Sequence, residues 1–277
     1  MIPQLYNAPL WVEAYLMPFA TAFLLLWIMR LTLGPRLSVV HGGLAVGLAV
    51  MVFFANHRGW PIWPPAGSTA KIPYILLAGL VFGTLLDSFG RPLTARVAAI
   101  VVLSLLAVFW LGFERFGAGA TVQILPLYAV AAVASVLVLA RLDDDRRHGL
   151  TAPITLFVGC LGLFVVSEIY GSRVSLYAGA LAAALVAFVV WNLPSQRFEI
   201  SSSLVLGAGA AYVALAMFLF FSRSSLEGPV GLTVLPFLII PALEKMNLLR
   251  RPVPPLLILL LSLPPVVAAG YVAYYYA

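Results

Sequence analysis

The sequence predicts an all-α membrane protein, a bundle of about ten transmembrane helices joined by short loops, and three observations carry that expectation. Hydrophobic residues make up 63% of the 277-residue chain and charged residues only 9%, with a mean hydropathy of +1.06, whereas an average soluble domain carries about 25% charged residues. Apolar runs recur along the whole length, and nearly all exceed the ~18 residues that separate a bilayer span from a buried core helix. The runs are continuous, without the apolar–polar alternation of a membrane barrel strand, so helices are the way their backbone groups are satisfied in lipid. No soluble domain of useful size remains between them, and residues 1–277 read as one membrane domain.

Taken in order, the first span is 11–33. The first ten residues hold no Lys or Arg, and no small-residue cleavage site follows the run, so it reads as a permanent span and not a signal peptide. The second, 37–56, carries Val40-His41-Gly42-Gly43-Leu44 and leads into the loop Gly59-Trp60-Pro61-Ile62-Trp63-Pro64-Pro65. Spans at 72–89, 93–113 and 122–141 follow, the third of the chain closing around Asp87. The sixth, 150–170, contains the single cysteine, Cys160, so neither a disulfide framework nor a Cys-based metal site is expected. Spans at 174–193 and 202–222 precede a short ninth, 229–243. Pro236 and Pro241 interrupt its hydrogen-bond ladder, which makes a broken or re-entrant helix an alternative to a crossing. The tenth, 253–276, has Pro264-Pro265 at its middle and Tyr271, Tyr274, Tyr275 and Tyr276 at its end.

Alternate loops hold eleven and five of the sixteen Lys and Arg residues. The basic-rich set comprises Arg30, Arg36, Arg91, Arg96, Arg141, Arg146, Arg147, Arg197, Lys245, Arg250 and Arg251. The positive-inside tendency places these inside and both termini outside, with Tyr6 and Trp11 joining the C-terminal tyrosines in an outer aromatic belt. Basic residues stand singly at helix ends, where they meet headgroups; a net charge of +6 therefore argues for the lipid bilayer as partner and not for nucleic acid. Short loops point to the bacterial inner membrane. The one charge run, Arg141-Leu142-Asp143-Asp144-Asp145-Arg146-Arg147-His148, reads as a solvated, self-neutralising turn. A gapless comparison of Ser38–Gly59 with Ser203–Ser224 gives seven identities in 22 positions, too few in so simple a composition to establish a repeat.

Candidate binding residues are His41, Trp60, Trp63, Glu168, Pro236, Pro241, Pro264 and Pro265. His41 is an ionisable group within an apolar span, a functional suspect by default. Trp60 and Trp63 suit the headgroup level, and the prolines between them stiffen a cap that serves as anchor or lid. Glu168 and Glu13 fall near outer span ends, where they would line a vestibule with Arg115 or Arg173. The proline pairs 236/241 and 264/265 free backbone carbonyls, as the broken helices of transporters do. No carboxylate sits at mid-depth, since Glu114 also falls at an outer end and Asp87, Glu199 and Glu244 at inner ends.

Val40-His41-Gly42-Gly43-Leu44 locally resembles the His-Gly-Gly-Leu helix of prolipoprotein diacylglyceryl transferases, whose histidine is functionally important. The resemblance covers under twenty residues, and the Gly-Arg-x-Gly-Asn-Phe segment of that family is missing. Gly59-Trp60-x-x-Trp63 resembles part of the tryptophan-rich loop of haem-handling cytochrome c maturation proteins, without its further tryptophan and aspartate. His41 and His57 are sixteen residues apart, about 24 Å on one helix, so they cannot clamp one iron and no cofactor is expected. Three function classes remain. The first is a transporter or flippase for a neutral or lipophilic solute. The second is a non-catalytic subunit of a larger membrane complex, with protein partners or further copies of itself. The third is a lipid-modifying enzyme using His41. They stand in that order, which puts an enzyme last.

Overall fold

The computed structural model describes residues 12–90, 92–117, 125–146, 148–246 and 253–277. Tyr6, Trp11, Arg91, Arg147, Arg250 and Arg251, and the side chains of Arg36, Glu114 and Arg115, lie outside the described residues. Every regular element among the described residues is helical: α1 (Val12–Thr32), α2 (Gly34–Arg58), α3 (Ser68–Ser88), α4 (Leu93–Gly117), α5 (Leu125–Asp145), α6 (Thr151–Ile169), α7 (Val174–Trp191), α8 (Leu204–Ser222), α9 (Ser224–Leu232), α10 (Pro236–Lys245) and α11 (Pro255–Tyr276). Eight of these helices are long and apolar enough to cross a membrane, or nine if the bent pair α9–α10 is one span. This is a polytopic all-α membrane protein.

At the centre stands α8, with 94% of its apolar window buried. Its alanines and glycines, from Gly207 to Ala216, leave little side-chain bulk, so α3 and α4 close directly on it, and the first half of α2 meets its start at Leu204. Gly79 of α3 lies against the main chain of Leu206 and Gly207, and Gly83 against that of Ser202 and Ser203. Small residues permit this backbone-to-backbone approach, the usual means of helix association where lipid tails are as apolar as leucine. Around this core α6 packs on α7 and α11, and α1 lies between α2 and α7. Side chains such as Val97, Val101, Phe109 and Phe113 of α4 remain exposed, as lipid-facing residues must.

The ninth run is broken, as its prolines allow: α9 and α10 meet at an angle of 42°. The tenth is not. Helix α11 runs unbroken from Pro255 to Tyr276 with Pro264 and Pro265 inside it, against the expectation of a second interrupted helix. Being adjacent, these prolines delete two neighbouring ladder bonds, and the turns on either side hold the helical path. Pro265 is buried, and Pro264 points outward.

Candidate functional site

The polar groups gather at the two ends of the bundle. At one end Gly59, with φ of 84°, turns the chain out of α2 through a left-handed conformation that favours glycine, and the Trp60–Pro65 loop returns it to α3. Trp63 pins the loop: its ring meets Tyr74 of α3 edge-on at 5.7 Å and Trp110 of α4 at 6.2 Å between centroids. Below it the buried Lys71 donates from Nζ to the Trp110 carbonyl oxygen at 3.0 Å, tying α3 to α4. Trp60 lies on the other side and lines a cavity of about 330 Å³ with Phe54, Pro61, Ile62, Pro64, Ala66, Ala70 and Pro73. Arg58 is the one charged residue in that lining and Thr69 the one hydroxyl.

Arg58 donates from Nη1 to Thr69 Oγ1 at 2.6 Å, and its guanidinium carbon stands 5.8 Å from the centre of the Tyr177 ring. Tyr177 stacks on Phe54 at 4.3 Å, and His57 stacks on Phe53 at 5.7 Å. The charges of Arg58, Arg173 and Glu13 all act on His57, so the starts of α1 and α7 and the end of α2 share one electrostatic neighbourhood. Glu13 joins this group. Glu168, exposed at the end of α6, acts instead on Tyr15 of α1.

A network of buried charge occupies the opposite end. Both carboxylate oxygens of Asp87 accept main-chain N–H groups, from Ser202 at 2.8 Å and Ser203 at 2.9 Å, capping the start of the central helix with a negative charge. Asp143 lies 3.0 Å from Arg96 Nη1 and 3.2 Å from Arg146 Nε, and Arg146 Nη1 donates to Ser202 Oγ at 3.2 Å. Asp145 is 1% exposed and Arg146 9%. The solvated turn expected from the charge run is therefore corrected, because a tight α5–α6 connection folds it inward against α4 and α8, where Asp143 pairs with Arg96 and Arg146. Asp144 behaves as expected, 62% exposed at its side chain and 3.8 Å from Arg141.

His41 is half-buried on α2 at the crossing where Gly42 and Gly43 meet Phe198, Ser201 and Leu204. Its Nδ1 is buried and has no hydrogen-bond partner among the described residues. Helix α2 is unbroken between His41 and His57, which keeps them about 24 Å apart. Pro236 is buried at the α9–α10 bend, whereas Pro241 is buried inside α10, which runs unbroken through it, so the interruption expected at Pro241 is corrected to the turn before Pro236. The carbonyl of Thr233, in that bend, accepts from Tyr212 of α8 at 2.8 Å, and the Thr233 hydroxyl donates to the Val230 carbonyl at 2.7 Å. Gly159 and Gly162 of α6 press on this corner through contacts with Phe237, Tyr212 and Thr233. The bend is satisfied by protein groups and closely packed.

Arg58, Thr69 and Tyr177 were not singled out by sequence reasoning, which treats Arg58 as one more topology charge. The signal for it is position alone, directly before Gly59 and the tryptophan loop. No family model and no curated protein matches this sequence.

Proposed function

We propose that this chain is a transporter or flippase of the bacterial inner membrane for a lipophilic solute, which enters at the cavity under the Trp60–Pro64 loop from the outer side. The observation that carries it is the composition of that cavity, an apolar wall with a single guanidinium at its rim, which is the chemistry of an amphiphile lying at headgroup depth. The proposal takes the bundle as ten crossings, two beyond the eight single helices. Helix α2 has 25 residues, about 37 Å at 1.5 Å per residue, and supplies one. The α9–α10 pair supplies the other, since it leaves α8 at Ser224 and brings Glu244 within electrostatic reach of Asp144 and Asp145 at the opposite end. On this reading the Asp87–Ser203 and Arg96–Asp143–Arg146 contacts hold the inner side closed.

The test is reconstitution into liposomes carrying a fluorescent phospholipid, with a membrane-impermeant quencher added outside. Protein-containing vesicles should lose the fluorescence of both leaflets, and empty ones that of the outer leaflet only. Identical quenching in the two would remove flipping of that lipid.

A second reading, a subunit of a larger membrane complex, is favoured by the α9–α10 bend. Its freed polar groups are met by Tyr212 and by Thr233 itself, and Gly159 and Gly162 fill the corner, which suits a helix bent to fit and not one opened to a solute. Purification in mild detergent separates the two, a stoichiometric companion supporting the second reading and a single species the first.

A further inference from the structure

We propose that the amphiphile received by the tryptophan-loop cavity bears an anionic phosphate headgroup, bound by the Arg58 guanidinium and the Thr69 hydroxyl. This rests on the reading that the cavity takes an amphiphile, and it replaces a neutral solute with a charged one.

Three observations lead there. Arg58 has no carboxylate in ion-pairing reach among the described residues; its contacts are the Thr69 hydroxyl and the Tyr177 ring, and neither cancels its charge. One N–H group goes to Thr69, and a guanidinium has five in a planar fork that fits two oxygens of one anion, so donors remain for a ligand. Thr69 accepts from Arg58, which leaves its own hydroxyl proton to point at the same anion. Phe54, Ala70 and Pro73 on one side and Trp60, Pro61 and Ile62 on the other give the cavity an apolar lining suited to acyl chains, with Arg58 exposed at its edge, where a headgroup can reach it. Arg173 adds a second positive charge to the neighbourhood against the single negative charge of Glu13, all three charges being sensed at His57. A guanidinium beside a hydroxyl offers convergent donors, which suit an anionic oxygen better than a neutral one.

The lipid headgroup and the free anion share this chemistry, and the experiment separates them. Purified protein in neutral detergent is mixed with phosphatidic acid and phosphatidylcholine of identical acyl chains, and bound lipid is counted by native mass spectrometry, with and without millimolar inorganic phosphate. The parent should favour phosphatidic acid about tenfold, the scale of one charge-assisted pair. Arg58→Gln should abolish the preference, Arg58→Lys should keep part of it, and Trp60→Ala should weaken both lipids together. Equal binding of the two lipids by the parent, or an undiminished preference in Arg58→Gln, overturns the proposal. Displacement of the lipid by inorganic phosphate overturns the lipid as source in favour of a free anion. Arg58 is exposed, so its variants should remain folded, with monodisperse elution as the check. Binding that depends on Arg58 without flipping in liposomes removes the transport reading and leaves this one standing; flipping that persists in Arg58→Gln does the reverse.

Discussion

Tyr212 of α8 reaches the main-chain oxygen of Thr233 at 2.8 Å and lies 2.9 Å from its Oγ1, at the corner where α9 bends into α10. Pro236 has no N–H to offer the carbonyls of the preceding turn. In a bilayer no water replaces a lost partner, and each unsatisfied group costs several kcal/mol. The Tyr212 hydroxyl, itself fully buried, supplies the missing donor from a neighbouring helix.

Tyr212→Phe should therefore destabilise the protein by about 1–3 kcal/mol, the cost of a buried acceptor left without its donor, with little change in packed volume. Unfolding in a detergent titration measures this. A neutral result would mean that the corner is hydrated and that water takes over from the phenol.

The Asp143 carboxylate is shared by Arg96 and Arg146, all three side chains at most 15% exposed. Asp143→Asn removes the carboxylate that both buried guanidiniums share and should cost about 3 kcal/mol or more. Asp144→Asn removes an exposed pair 3.8 Å apart and should cost under about 0.5 kcal/mol. Comparison of the two melting curves checks whether the charge run is a buried brace; equal small losses would return it to a solvated turn.

Helix class and most span positions were legible because bilayer thickness sets run length and because backbone groups in lipid have few options. What the sequence hides is which helix is central. The apolar content of α8 resembles that of α7, and only contact with α3 shows why Gly79 and Gly83 are there. Partnerships between distant residues are hidden for the same reason. Nothing local says that Asp87 caps Ser202 and Ser203, 115 and 116 positions away, or that Arg58 stands alone among apolar lining. The proline pairs misled in part, since removal of a ladder bond does not say whether the next turn bends, as after Thr233, or continues, as through Pro264 and Pro265.

Gly79→Ala should be more disruptive than Gly47→Ala. A methyl group on Gly79 meets the main chain of Leu206, which cannot yield without moving the central helix, whereas one on Gly47 meets the flexible end of the Leu80 side chain. The first should cost about 2 kcal/mol or more and the second about 1–2 kcal/mol, as overpacking does where a rotamer change relieves it. Folded yield and unfolding midpoints in matched detergent give the order, and a reversal would show that α3 and α8 separate easily.

The start of α1, the Trp60–Trp63 loop and Tyr276 are expected to face the outside together. Glu13 near the start of α1 acts on His57 at the end of α2, which puts these two on one side. Helix α11 runs parallel to α6, since its Val266 lies by Gly162 and its Gly270 by Val165, and α6 ends on that same side with Glu168 and Tyr170. Among the described residues the opposite side holds Arg96, Arg141 and Arg146 of the richer loop set, and the positive-inside tendency expects that side in the cytoplasm. Cys160 is buried, so single cysteines introduced elsewhere can be read against a silent background. Ser68→Cys should react with an impermeant maleimide added to intact cells, and Asp144→Cys, at an exposed position, should react only after the membrane is opened. Labelling of position 144 from outside would invert the whole bundle and move the Arg58 cavity to the cytoplasmic leaflet. Labelling of neither position in intact cells, with both labelled after lysis, would mean that the loop is buried against a partner or that the protein resides in an internal membrane.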